Sequence, residues 1–121
     1  MSKDLLLFNS RDELLRLDIS KIVYFVADGN YTNVMLLNKL KCSVGMNLGQ
    51  MEKVLIDRLQ GKSKIFVRIG KSYVINMNYI FQIQVPRKRL LLTDYDGCIY
   101  SLEMSKEALK KLKEIVVMIK I

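Results

Sequence analysis

The sequence predicts a mainly β protein of packed antiparallel sheets, β-sandwich-like, with one mid-chain helix and one C-terminal helix. Short runs rich in β-branched, aromatic and leucine residues recur at close spacing along most of the chain. Brief polar turns separate these runs, which is typical of hairpins and therefore of antiparallel sheets. Apolar residues take up helical spacing in only two stretches.

Length and composition indicate a single domain over residues 1–121. Half of the residues are apolar, which supports a buried core and argues against disorder. No apolar run approaches the ~20 residues that cross a bilayer. The apolar run Leu5–Phe8 is too short for a secretion signal, since charges follow it at once. We therefore expect a cytoplasmic protein without membrane insertion.

The first half of the chain contains five predicted strands. They are Leu5–Phe8, Glu13–Leu17, Lys21–Ala27, Tyr31–Leu37 and Leu40–Val44. An Asp-Gly-Asn sequence separates the third strand from the fourth, and Asp-Gly is a strong hairpin signal because Gly29 accepts a positive φ without steric penalty. Another polar turn at Asn38 and Lys39 precedes the fifth strand.

A helix is predicted next, from Leu48 to Gln60. Its apolar residues follow the helical repeat, at Leu48, Met51, Leu55 and Leu59. Asn47 can cap its N-terminus, and Gln50 three residues later can complete a capping box. Gly61 suits the position just past the C-terminus, where a left-handed residue commonly ends a helix.

Strands resume in the second half of the chain. They are Lys64–Ile69, Tyr73–Asn76, Tyr79–Val85, Arg89–Asp94 and Cys98–Met104. Ser105 then opens the second helix, whose apolar positions share one face while its lysines lie largely elsewhere. The tail Val116–Ile121 either extends this helix or forms an edge strand.

The residues offer little chemistry for an enzyme. Histidine, the commonest general base, is absent. Gly70-Lys71-Ser72 is similar to the end of a nucleotide-binding loop, but the upstream glycine is missing and a strand follows. Cys42 and Cys98 lack metal-ligand spacing and are expected to be buried packing residues. We expect no catalysis, no cofactor and no metal, and hence a binding module.

Charge is distributed unevenly and predicts an anionic partner. Residues 1–60 carry eight Lys or Arg and seven Asp or Glu, whereas residues 61–121 carry twelve and five, so +7 of the net +8 lies in the second half. Several cations lie in or directly beside predicted turns, namely Arg68, Lys71, Arg87, Lys88 and Arg89. Lys106 stands in the first turn of a helix, where the helix dipole disfavours a cation. An external anion is one explanation for Lys106, and a solvated surface lysine is the other.

Four segments together resemble a known family. They are ISKIVYFVADGNYTNVML from Ile19, FVRIGKSYVINMNYIFQI from Phe66, RLLLTDYDG from Arg89 and LEMSKEALKKL from Leu102. In order and spacing they resemble the LytTR DNA-binding domain, which occurs at the C-terminus of bacterial two-component response regulators of the LytR/AlgR type. The resemblance spans about Leu17 to Leu112.

The resemblance implies a compact set of antiparallel sheets that contacts DNA through loops. The positions that match the family's contacts are Asn30, Tyr31, Thr32, Asn33, Arg68, Lys71, Ser72, Ser105 and Lys106. Lys71 and Lys106 are the candidate base readers, because lysine can reach guanine O6 and N7 in the major groove. Arg68, Arg87, Lys88 and Arg89 are candidate phosphate contacts. For Tyr31, packing within the hairpin is favoured over stacking near DNA.

Two departures from the family pattern bear on base preference. Gly70 stands where the family often has histidine, and Lys106 where it often has arginine. Lysine lacks the planar fork of arginine, so a two-point contact with one base would be geometrically looser.

The sequence thus predicts a sequence-specific transcriptional regulator that binds double-stranded DNA. Two copies on a repeated site, and a receiver domain or a membrane-bound regulator as signalling partner, are further expectations. The alternative is a protein-interaction module that binds a membrane-bound partner through the apolar tail. Single-stranded nucleic-acid binding ranks third, because such binding uses exposed aromatic platforms and the aromatics here fall mostly at core-facing positions.

Overall fold

The computed structural model describes residues 4–119, and its elements follow the predicted order. The strands are β1 Leu5–Asn9, β2 Leu14–Asp18, β3 Ile22–Asp28, β4 Tyr31–Leu36, β5 Lys41–Val44, β6 Phe66–Ile69, β7 Tyr73–Asn76, β8 Ile80–Gln84, β9 Arg89–Thr93 and β10 Ile99–Glu103. The helices are α1 Leu48–Leu59 and α2 Lys106–Ile119. Helix α2 runs through the described part of the apolar tail, and Lys120 and Ile121 lie outside the described residues. Neither helix of residues 4–119 is long and apolar enough to span a membrane.

Three antiparallel sheets confirm the predicted fold class. Strands β1 and β2 form a hairpin, the largest sheet has the order β5-β4-β3-β7-β6, and the third has the order β10-β9-β8. Adjacent strands in sequence pair in most cases, because the connecting turns are short. The pairing of β3 with β7 is the long-range one, and it joins the two halves of the chain.

The five-stranded sheet lies between two apolar clusters. Ile22 and Phe25 of β3 belong to the cluster that contains α1 and the β1–β2 hairpin. Val23 and Tyr24 belong to the other cluster, which contains the three-stranded sheet and α2. Because β3 carries an irregularity between Ile22 and Tyr24, its buried residues do not alternate simply. The central strand is therefore buried on both faces.

Helix α1 begins as predicted and ends differently. The Asn47 side chain accepts from the Gln50 backbone N–H at 2.8 Å, and the Gln50 side chain accepts from the Asn47 N–H at 2.9 Å, so the capping box is present. At the other end Gln60, not Gly61, takes the positive φ, at 51°. The chain enters a tight 3₁₀ turn, Gln60–Ile65, directly at this point, and the reversal therefore falls one residue earlier than predicted.

Asp94 links the three-stranded sheet to the turn between β4 and β5. Its carboxylate accepts from the backbone N–H of Asn38 at 3.2 Å and of Cys98 at 3.1 Å, and from the Tyr100 hydroxyl at 3.2 Å. Partial desolvation raises the pKa of Asp94, but hydrogen bonds from the backbone of Asp96, Asn38 and Cys98 and from Tyr100 outweigh it and lower that pKa to about 2.

Candidate nucleic-acid interface

The β3–β4 turn and the β6–β7 turn leave the five-stranded sheet at the same end. Strand β3 pairs antiparallel with both β4 and β7, and Val26 near the end of β3 faces Tyr73 at the start of β7. One residue further, the Ala27 N–H donates to the Ser72 carbonyl at 2.8 Å. The sheet therefore fixes the segments around Asn30 and Lys71 as neighbours, although they are far apart in sequence.

The start of α2 lies beside the β6–β7 turn. A cavity of about 220 Å³ is lined by Lys71 and Ser72 on one side and by Met104 and Ser105 on the other. Ser105 caps the helix, because its hydroxyl oxygen accepts from the Ala108 N–H at 3.1 Å. This geometry holds Lys106, the first residue of α2, on the same side of the molecule as Lys71.

The β8–β9 turn adjoins the same junction. The Met104 N–H donates to the Lys88 carbonyl at 3.0 Å, and Glu103 pairs with Arg89 across the β9–β10 ladder. Four segments thus form one continuous surface. We call it the basic face and define it as Asn30–Tyr31, Gly70–Ser72, Arg87–Arg89 and Ser105–Lys106.

Exposed cations give the basic face its charge. They are Lys71, Arg87, Lys88, Arg89 and Lys106. Within residues 4–119, the ion pairs join Arg11 to Asp12, Lys62 to Asp4 and Arg68 to Glu52, so none engages these five cations. The exposed carboxylates Glu103 and Glu107 border the start of α2 and reduce the net positive charge there.

Arg68 differs from the other predicted phosphate contacts. Its guanidinium forms an ion pair with Glu52 of α1 at 2.5 Å, and its side chain is 32 % exposed. It also donates to the carbonyls of Gly70 and Lys71, at 3.3 Å and 2.9 Å. The predicted free cation is therefore neutralised and held inside the turn. Sequence reasoning missed Glu52, because nothing in the local pattern of α1 distinguishes it from a solvated helix carboxylate.

The β3–β4 hairpin places its four candidate residues differently. Asn30 is exposed at the turn, and Tyr31 is 56 % exposed although one edge of its ring lies beside Gly45, so Tyr31 packs against the hairpin only in part. Thr32 has no exposed surface, and its hydroxyl donates to the Met46 carbonyl at 2.9 Å. Buried in this way, Thr32 supports the hairpin and does not present its side chain to a ligand. The half-buried Asn33 donates to Asp28 at 3.2 Å.

The two cysteines are partly buried, less than the sequence suggested. Burial raises the pKa of both thiols, with a smaller contribution from the negative charge of Glu13 at Cys42 and of Asp94 at Cys98. Both shifts favour the protonated thiol over the thiolate. Across residues 4–119, no three His, Cys, Asp or Glu side chains lie close enough to hold a metal ion.

Comparison with known proteins identifies a family and solved structures with a similar fold. The family model described as the LytTr DNA-binding domain matches residues 12–116. A solved structure, described as the LytTr DNA-binding domain of a methyl-accepting/DNA response regulator from Bacillus cereus, aligns with a TM-score of 0.63 at 20% identity. The alignment covers 95% of this chain and 98% of that chain, so the two share a fold along nearly their whole length. No curated protein sequence matches the chain.

Proposed function

The chain belongs to the LytTR family of DNA-binding domains, and from this membership we propose that it is a sequence-specific transcriptional regulator that reads double-stranded DNA with the basic face. Binding is the whole of the proposed activity, without a chemical step. The family supports DNA binding, and the arrangement of the four basic-face segments supports the more detailed assignment.

One observation supports the basic face above all, the chain of contacts that joins its four segments. The Ala27–Ser72 hydrogen bond, the cavity shared by Lys71 and Ser105, and the Met104–Lys88 hydrogen bond connect them in turn. Each segment starts or ends at a strand or helix, so its backbone is held by a regular element. A duplex lying along this surface would meet all five exposed cations together.

We assign different roles to the residues of the basic face. Lys71 and Lys106 contact base edges in the major groove, where a lysine can donate to guanine O6 and N7. The three cations of the β8–β9 turn, Arg87–Arg89, contact phosphates and set the register of the protein on the duplex. Asn30 and the exposed Tyr31 contact the sugar–phosphate backbone beside the β3–β4 turn.

We propose that two copies bind neighbouring half-sites of a repeated sequence. A single small module buries roughly 600–1,000 Å² on DNA, at the low end for specific complexes. Two copies would double the number of base contacts. A receiver domain or a membrane-bound regulator as the source of the signal stays a prediction.

Selection of bound duplexes from a random pool, followed by fluorescence anisotropy, tests the proposed function. The selected duplex should bind at least ~10³-fold more tightly than a random one at physiological salt, as is usual for specific DNA-binding proteins. Equal affinity for every duplex would contradict the proposed sequence specificity. Failure to bind any duplex at low ionic strength would contradict the proposed DNA binding itself.

The alternative function, a protein-interaction module, has one structural observation in its favour. Val117 and Met118 on α2 are 65% and 81% exposed, and they border an open groove of about 720 Å³ that also includes Val85. Apolar contacts resist moderate salt, whereas phosphate contacts weaken steeply with it. A Val117→Ser, Met118→Ser double variant should bind DNA like the wild type if the basic face carries the function. The alternative predicts instead a protein partner that stays bound at moderate salt and is lost in this double variant.

A further inference from the structure

We propose that Arg68 and Glu52 are positioning residues, whose ion pair fixes the backbone of the β6–β7 turn so that Lys71 is presented to the duplex in one orientation. This inference rests on the proposed DNA-binding function and deepens it. It also removes Arg68 from the predicted phosphate contacts.

The guanidinium of Arg68 donates in three directions at once. Its Nε donates to the Gly70 carbonyl at 3.3 Å, and one terminal nitrogen donates to the Lys71 carbonyl at 2.9 Å. The other terminal nitrogen donates to Oε1 of Glu52 at 2.5 Å. The planar fork of arginine carries its donors on three separate nitrogens, a spacing that the single ammonium nitrogen of lysine lacks. The fork thus ties two successive peptide units of the turn to helix α1.

The β6–β7 turn has little else to hold it. Gly70 has a φ of 62°, and a Cβ built on it would meet no atom within 4 Å. Neighbouring side chains therefore do not pack around Gly70, and glycine has more backbone freedom than any other residue. Besides the strand ladder, the turn is held by the Ala27–Ser72 hydrogen bond and by Arg68. Loss of the Arg68 contacts should leave the residues around Lys71 mobile.

Glu52 provides a rigid anchor for this arrangement. It lies on α1 between Met51 and Leu55, which are 0% and 2% exposed and belong to the core. Glu52 and the turn carbonyls use three of the five guanidinium N–H groups of Arg68, so a phosphate could reach only the remaining two. Because the side chains of Arg68 and Glu52 are only 32% and 35% exposed, breaking the pair leaves two partly desolvated charges without partners.

The charge of Glu52 provides a test, because phosphate contact and positioning of the turn by Arg68 predict opposite changes in DNA affinity when that charge is removed. Glu52→Ala removes a negative charge, so it should strengthen DNA binding if Arg68 contacts phosphate. If Arg68 positions the turn, Glu52→Ala should weaken binding to the selected duplex by about three- to tenfold, because the turn must then be ordered on binding. Asp57→Ala is the matched control, since Asp57 is an exposed carboxylate on the same helix. Equal strengthening by both variants would overturn the inference.

Salt dependence separates the two roles at Arg68 itself. If Arg68 contacts a phosphate, Arg68→Gln should make the slope of log affinity against log salt concentration shallower by ~0.9. Arg68→Lys should restore the wild-type slope. Positioning predicts an unchanged slope for both variants and a reduced ratio of specific to random affinity in each, since lysine lacks the fork. Arg58→Gln is the control, because Arg58 also donates to a backbone carbonyl, that of Leu7, outside the basic face.

A measurement on the free protein distinguishes failure of this inference from failure of the proposed function. NMR order parameters of residues 70–72 should fall from rigid values, roughly 0.85, toward those of a flexible loop in Arg68→Lys and Glu52→Ala. The same residues should stay rigid in Asp57→Ala and Arg58→Gln. Unchanged order in the first two variants would overturn positioning even if the wild type binds DNA. Loss of order would support positioning even if no duplex is bound.

Discussion

The backbone amide of Met104 lies 3.0 Å from the carbonyl oxygen of Lys88 and donates a hydrogen bond to it. This bond joins the β8–β9 turn to the start of α2, so Lys88 and Lys106 share one surface. Together with the Ala27–Ser72 bond at 2.8 Å and the cavity lined by Ser72 and Ser105, it brings turns from both halves of the chain to the basic face.

Lys71→Ala should reduce discrimination between sequences. If Lys71 reads a base edge, its loss should weaken binding to the selected duplex by about 1–3 kcal/mol and change binding to random duplexes much less. Anisotropy titrations on both duplexes measure the two effects. Lys53→Ala, an exposed lysine of α1, controls for the lost charge. Equal losses on both duplexes would remove Lys71 as a base reader.

Arg87→Ala should weaken binding to all duplexes alike. As a phosphate contact, Arg87 adds affinity without sequence information. Its removal should make the slope of log affinity against log salt concentration shallower by ~0.9. For the wild type we expect roughly three to six phosphate contacts, hence a slope of about −3 to −5. Titrations between 50 and 200 mM salt, about a fourfold range, give the slopes. Arg16→Ala on β2 is the control, and a change restricted to the selected duplex would contradict the assignment.

Thr32→Val should destabilise the fold and leave the DNA interface intact. The substitution keeps the shape of the buried side chain but removes the donor to the Met46 carbonyl, at an expected loss of about 1 kcal/mol. Urea unfolding measures this loss, with Ser43→Ala on the exposed side of β5 as control. DNA affinity per folded molecule should stay at the wild-type value. If the variant were as stable as the wild type but bound the selected duplex more weakly, Thr32 would have to be assigned to the DNA interface.

Asp94→Asn should change the acid stability of the protein. The pKa of Asp94 is about 2 in the folded state, below its ordinary value of 3.8, so the unfolded chain binds a proton more readily. The stabilisation from Asp94 is therefore fully present above about pH 4 and is lost as pH falls toward 2. Urea unfolding at a series of pH values should show the difference between wild type and variant shrinking over that window. A difference in unfolding free energy between wild type and variant that does not change with pH would contradict the stabilising role assigned to the Asp94 carboxylate.

Local patterns were enough to predict the order of the elements. Each strand is short and ends at a polar turn, and the capping box of Asn47 and Gln50 is a local signal. The alternation along β4 also carried information that was not used, since Thr32, Val34 and Leu36 all point to the buried side. Read strictly, that alternation places Tyr31 outside and Thr32 inside, as the structure does.

Contacts between distant elements could not be predicted in the same way. The partners of Arg68 include a carboxylate 16 residues earlier, and only the packing of α1 against the sheet brings them together. Asp94 likewise accepts from Asn38, 56 residues away. The continuity of the basic face depends on the pairing of β3 with β7 and on the Met104–Lys88 bond, neither of which has a sequence signature.

Chemical-shift mapping of the wild-type domain with the selected duplex tests the central claim most directly. The proposed interface predicts perturbed amides at residues 30–31, 70–72, 87–89 and 105–106, with the largest changes near Lys71 and Lys106. Perturbations confined to the exposed end of α2 around Val117 and Met118, or none at low ionic strength, would contradict it.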